Sequence, residues 1–182
     1  MPTLGSPNWE CAGTEQHGIT SNGYLRKLVE LEPACRDAQG MFPTIFCLLR
    51  AAQPSAGIAV FHDRGGFADL LEKNAPDVLR HERGPEKTTT AAIQYWKQNL
   101  PGLLLIHLDK LDHTGHEEGW SSPAYNRAVA DADRHISEIL DMVNEASAED
   151  STFILITSDH GGKGRSHGGS SLDEMLVPWV IR

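Results

Sequence analysis

The chain has 182 residues, 40% of them hydrophobic and 23% charged, with a formal net charge of −9. Such a chain is long enough to bury a core and ordinary for a soluble globular domain. Its acidity argues against a nucleic-acid backbone as the main partner. No run approaches the roughly 20 apolar residues of a membrane span. The N-terminus lacks a basic segment followed by an apolar one, so neither a membrane partner nor a signal peptide is expected. The three cysteines, Cys11, Cys35 and Cys47, show no paired metal spacing, and their odd number argues against a disulfide framework. Cys47 sits among apolar residues and reads as a small core side chain.

Residues 1–24 are rich in Gly, Ser, Asn and Thr and read as loop. From Tyr24 to Gly40 no clean period emerges, and Pro33 with scattered charges suggests an irregular connection. Pro43 opens a helix over Thr44 to Ala52, with Ile45, Phe46, Leu48 and Leu49 as its apolar face. Ile58 to Phe61 is a short strand, and Gly65-Gly66 turns the chain into a helix through Leu70-Leu71. Val78-Leu79 marks a brief strand. Thr88 to Gln98 reads as a helix with Ala92, Ile93 and Trp96 on one face. A strand over Leu103 to Leu108 follows. The longest helix runs from about Pro123 to Ala146, with Tyr125, Val129, Ala132, Ile136, Ile139, Leu140 and Val143 as a core stripe. Phe153 to Ile156 reads as a buried strand, and Leu176 to Ile181 as a final one. Strands alternating with helices predict an α/β fold, a mainly parallel sheet sandwiched by helices. No repeat or boundary divides the chain, so residues 1–182 are read as one domain.

Two strands end in loops of Asp, His and Gly. The first is Asp112-His113-Thr114-Gly115-His116. The second is Ser158-Asp159-His160-Gly161-Gly162, followed by His167-Gly168-Gly169. Sites in open α/β sheets are built at the C-terminal ends of strands. Asp112 and His116 are four residues apart, a spacing that one helical turn or a compact loop can close around one ion. Together with His167 they would make a three-ligand site with an open position, as in catalytic zinc. Asp159 and His160 would begin a second site. Paired ions suit phosphoryl transfer. His62 and Asp63 follow the Ile58 strand and are assigned a structural or rim role. His113 is either a hydrogen-bonding neighbour of a ligand or exposed. His107 and His135 lack ligand spacing, His17 belongs to a turn, and Trp9, Trp120 and Trp179 pack in the core or wall a pocket.

These motifs, in this order, resemble the type I phosphodiesterase/nucleotide pyrophosphatase family of the alkaline phosphatase superfamily. The carriers are Asp112 to His116, Asp159-His160-Gly161 and His167-Gly168, with Ser6-Pro7-Asn8-Trp9 and His17 to Asn22 resembling the segment after the family's nucleophile. The resemblance implies an alkaline-phosphatase-like core and two Zn²⁺ sites. It implies hydrolysis of a phosphate mono- or diester, with a small phosphorylated substrate. It also implies a nucleophilic Ser or Thr two residues before Pro7, a position held here by Gly5. Ser6 is the nearest hydroxyl, and Asn8 matches a residue that hydrogen-bonds the transferred phosphoryl group. The family places a further aspartate ligand on a strand upstream of the nucleophile, and no residues here match it. The expectation is therefore a core incomplete at both ends, with one tight zinc site. The alternatives are a catalytically impaired metal-binding fragment or a phosphonate hydrolase-like relative. A sulfatase would need Cys or Ser in a Cys/Ser-x-Pro-x-Arg context, which is absent. Family members are often exported or periplasmic.

Overall fold

A computed structural model describes residues 44–182 other than Lys73. Gly5, Ser6, Asn8, Trp9, Cys11, His17 and Cys35, with the irregular segments read before Thr44, lie outside the described residues.

Helix α1 spans Ile45–Ala52, and the Thr44 hydroxyl caps it by accepting from the Cys47 N–H at 3.4 Å. Thr44 also donates through its N–H and its hydroxyl to the two oxygens of Glu72, at 2.8 and 2.5 Å. Strand β1, Ile58–His62, is buried along its whole length. A 3₁₀ turn over Phe67–Leu70 leads to β2, Val78–His81. Helix α2, Pro85–Asn99, starts three residues before the sequence expectation, because Pro85 occupies its first turn and needs no N–H partner there. Strand β3 is Leu103–His107. Helix α3, Lys110–Glu118, carries the first Asp/His motif, and α4, Pro123–Glu145, follows with Ser122 as its cap.

The first three strands form a parallel sheet in the order β2-β1-β3. In β1, Ile58 and Val60 meet Phe46 of α1, Leu71 and Ala75 on one face. Ala59 and Phe61 meet Ala91 and Ala92 of α2 on the other. Helices therefore cover both faces, which is why β1 reads as an unbroken apolar run rather than an alternating one. Trp96 of α2 packs on Met142 and Val143, which sets α4 outside α2.

Two expectations need correction. The run from Phe153 is not a buried strand of this sheet. Strand β4 is Leu155–Thr157, and it pairs antiparallel with β5, Trp179–Ile181. Phe153 is 72% exposed, and the backbone groups of Ile154 pair with Arg182. The stripe on α4 is also rotated. Ala128, His135 and Met142 are its buried heptad, joined by Val143, while Val129 is exposed. Ala128 is 4% exposed and His135 2%, so the small and the flat residue lie on the inner side of α4. A short helix α5, Leu172–Met175, precedes β5 and is fixed by a capping box of Ser171 and Glu174. Among the described residues, no helix is long and apolar enough to cross a membrane.

Asp77 joins three pieces of this core. Its Oδ2 accepts from the buried Ile58 N–H and from Arg50 of α1, each at 2.7 Å. The Ile58 N–H, then Arg50, hold the Asp77 carboxyl below its ordinary value of 3.8. Asp77→Ala is expected to cost about 1–3 kcal/mol in urea unfolding, since a buried donor loses its acceptor. A carboxyl depressed on folding stabilises above its unfolded pKa, and that contribution is lost as pH falls through the folded value. The gap between wild type and variant should therefore be full near neutral pH and close as pH drops below 3.8.

Candidate metal centre

Parallel pairing sets His62 of β1 beside His107 of β3, so the loops leaving both strands start side by side. The Asp63 N–H donates to the His107 carbonyl at 3.3 Å, and the Asp109 N–H donates to Asp63 Oδ1 at 2.7 Å. Burial raises the Asp63 carboxyl above its usual range despite that donor. These contacts fix the start of α3. Asp112 lies in its first turn, where the helix dipole favours a carboxylate. His116 lies one turn further along the same face, with Nε2 at 3.4 Å from Asp112 Oδ1.

The loop after β4 supplies the other side. Its glycines are required by close approach. A Cβ at Gly161 would lie 2.1 Å from the Asp173 carbonyl oxygen, and one at Gly162 would lie 2.0 Å from the Trp120 ring. Gly168, directly after His167, has φ +104°, which side chains rarely adopt. The Gly161 and Gly162 N–H groups donate to the carbonyls of Glu174 and Asp173 at the end of α5. The Trp120 N–H donates to the Gly164 carbonyl at 2.7 Å and ties the loop to α3.

The result is a convergence on one atom. His167 Nε2 is 3.5 Å and His160 Nε2 is 3.8 Å from Asp112 Oδ1. The His160 and His167 rings stack, with centroids 3.8 Å apart. Among the described residues, Asp112, His160 and His167 offer donor atoms that all lie within 4.8 Å of one another. Asp112 Oδ1 is buried and accepts no hydrogen bond. The His116 and His160 Nδ1 atoms lie 3.0 Å from the Arg165 carbonyl and 2.7 Å from the Gly161 carbonyl. A carbonyl cannot donate, so each Nδ1 carries a proton, which leaves Nε2 as the atom of each ring that faces Asp112 Oδ1 and could ligate an ion. A buried carboxylate oxygen without a hydrogen-bond donor, faced by imidazole nitrogens, is a set of atoms that a cation would satisfy. Donors about 2.0–2.1 Å from a tetrahedral ion lie roughly 3.3 Å apart, close to the spacings found here. One oxygen with imidazole nitrogens suits a borderline divalent ion.

His160, expected in a second site with Asp159, has its donor atom within 4.8 Å of those of Asp112 and His167 as well, while His116, expected with these two, approaches Asp112 Oδ1 from α3 and is not one of the three. Asp159 Oδ2 is 3.7 Å from His160 Nε2, with its side chain 71% exposed at the rim. His62 is buried, stacks on His81, and holds the Arg64 carbonyl at 2.9 Å. His113 is exposed and pairs with Glu117. Burial pushes the His107 imidazole below its usual range. Trp120 is a wedge rather than a pocket wall, edge-on to His116 and His167. Trp179 is 66% exposed, outside any core.

Sequence reasoning missed Arg64. Its Nη1 donates to Asp109 Oδ1 at 2.9 Å and to Asp112 Oδ2 at 3.2 Å. The signal was available: Asp63-Arg64-Gly65-Gly66 is a third charged, glycine-rich segment at a strand end.

A parallel sheet between helices, with Asp112 beyond the end of β3 facing His160 and His167 of the loop after β4, has the architecture of the alkaline-phosphatase-like class of α/β folds. The family model described as type I phosphodiesterase/nucleotide pyrophosphatase matches residues 2–176, and the chain belongs to that family. Over 110 residues it is 32% identical to GPI ethanolamine phosphate transferase 3 of Schizosaccharomyces pombe, covering 59% of this chain and 11% of that protein. It is 34% identical over 88 residues to GPI ethanolamine phosphate transferase 2 of Saccharomyces cerevisiae, covering 42% and 11%. The chain thus spans about a tenth of the length of these curated relatives. Murine ectonucleotide pyrophosphatase/phosphodiesterase 5, solved as an inactive variant in complex with AMP, superposes with a TM-score of 0.51. The identity there is 21%, covering 63% of this chain and 32% of that one, a likeness of fold alone.

Gly162→Ala should force Trp120 off its seat and destabilise the chain by about 1–3 kcal/mol, the usual cost of overpacking. The checks are the urea midpoint and the tryptophan emission spectrum. Gly65→Ala, with nothing within 4 Å of the added carbon, is the control.

Proposed function

We propose that this chain carries a metal-dependent centre for cleaving a phosphate ester, most simply a small phosphodiester, with Zn²⁺ as its ion. The carrying observation is the buried Asp112 Oδ1, which has no hydrogen bond and faces the Nε2 atoms of His116, His160 and His167. When bound, such an ion acts as a Lewis acid on a phosphoryl oxygen and lowers the pKa of a hydroxyl nucleophile. The chain's own residues do the rest. The carbonyls of Arg165 and Gly161 hold two imidazoles in the ligating tautomer. Exposed Asp159 stands at the open side, where it can take the proton of an incoming hydroxyl. Ser6 is the proposed nucleophile in place of Gly5, with Asn8 contacting the phosphoryl group. The net charge of −9 favours a small substrate over a polyanion.

A second reading is favoured by the likeness to ethanolamine phosphate transferases. The same centre would pass the phosphoryl group to an acceptor hydroxyl instead of water.

Zinc titration should give one tight equivalent. Asp112→Ala and His167→Ala should each weaken it at least about 100-fold, and His160→Ala should weaken it too, since all three donors surround one point. Slow cleavage of bis(4-nitrophenyl) phosphate should depend on zinc and vanish in Ser6→Ala. Tight zinc with no turnover at all would instead identify a catalytically impaired metal-binding chain. Product analysis with an added alcohol separates the transferase reading, which requires the phosphate to appear on the alcohol.

A further inference from the structure

We propose that Arg64 is a positioning residue that fixes Asp112 as a one-oxygen ligand, so that the loop leaving β1 sets the affinity of the centre. The inference rests on the metal-centre reading above. Asp112 has two carboxylate oxygens with different surroundings. Oδ2 accepts from Arg64 Nη1 at 3.2 Å, while Oδ1 is the buried oxygen facing the imidazoles. The same Nη1 donates to Asp109 Oδ1 at 2.9 Å, so the guanidinium bridges the residue before α3 and a residue in its first turn.

Arg64 is itself held from behind. Its carbonyl lies 2.9 Å from Nδ1 of the buried His62, at the end of the central strand. Its neighbour Asp63 accepts from the Asp109 N–H at 2.7 Å. Strand β1 thus grips the start of α3 through backbone and side chain together. A carboxylate with both oxygens free can rotate about its last bond; occupying Oδ2 removes that freedom and leaves Oδ1 pointing at the cluster. Without the guanidinium, Asp109 and Asp112 would also lose the cation that bridges them.

Charge alone predicts the opposite effect on metal. Arg64 is a cation beside a proposed cation site, so simple repulsion says that removing it should tighten binding. Positioning says that removing it should weaken binding, by the 10–100-fold typical when a hydrogen-bond partner of a ligand is lost. The sign of the change separates the two.

The test is calorimetric titration with Zn²⁺ alone on wild type, Arg64→Met and Arg64→Gln, with melting of each zinc-free protein recorded alongside. The expected result is about 10–100-fold weaker binding in Arg64→Met at a comparable zinc-free melting temperature. Arg64→Gln keeps an N–H donor without the charge, so its loss should be smaller. If Arg64→Met does not fold, weaker binding in Arg64→Gln carries the proposal. Zinc bound as tightly as in wild type, or tighter, overturns it. So does unchanged zinc affinity with a raised KM for the nitrophenyl ester, which would make the guanidinium a substrate contact. His167→Ala keeps the two failures distinct. If wild type binds zinc, His167→Ala loses it and Arg64→Met keeps it, only the Arg64 role falls. If wild type binds no zinc, the metal-centre reading falls and takes this one with it.

Discussion

The arrangement of the molecule around its strand ends depends on one buried oxygen. Asp112 Oδ1 has no hydrogen-bond partner, and imidazoles from α3 and from the loop after β4 close on it. A polar atom buried without a partner costs about 1–3 kcal/mol, and more when it carries charge. His160 stacks on His167 beside it, with ring centroids 3.8 Å apart, which crowds two imidazoles against one carboxylate. A chain that keeps these groups together is storing electrostatic cost at one point. A divalent ion at that point turns the cost into attraction, which is why the proposed centre explains the packing as well as the chemistry.

Holding the point requires two independent elements to meet. One side is rigid by construction: β1 and β3 are neighbours in register, and Asp63, Arg64 and Asp109 lock the start of α3 to them. The other side is a loop without a strand in the same sheet. Its rigidity comes from backbone donors of Gly161 and Gly162 into α5, and from Trp120, whose ring lies against Gly115 and Gly162 alike. Trp120 therefore does for the loop what the sheet does for α3. The glycines around it are dictated by the volume of an indole, not by a need for flexibility.

Much of this was legible from the residues. Asp112 and His116 share a face because a helix brings i and i+4 together, and that spacing is visible in any sequence. The glycine-rich segments at strand ends pointed to a site, and the apolar run at Ile58 pointed to a strand covered on both faces. The rest was hidden for physical reasons. Phe153 to Ile156 is as apolar as a core strand, and only the partner it finds, β5, decides that one side stays in solvent. On α4, apolarity alone favoured Val129 over Ala128 and His135, yet the helix turns Ala128 and His135 inward and leaves Val129 44% exposed. Arg64 was not legible because its two carboxylate partners, Asp109 and Asp112, lie 45 and 48 residues away along the chain.

The burial of the cluster is uneven, and that bears on what can react there. The side chains of His167 and His160 are 5% and 8% exposed, against 43% for His116 and 71% for Asp159. On the proposed function, a substrate would reach the cluster from the more exposed side of His116 and Asp159, not through the stacked rings. The donor set fixes where a phosphoryl group would be polarised, but not what accepts it. Water and an acceptor hydroxyl would use the same open side and the same carboxylate for the proton. The likeness of this chain to named transferases, within a family named for phosphodiesterases and pyrophosphatases, fits either acceptor.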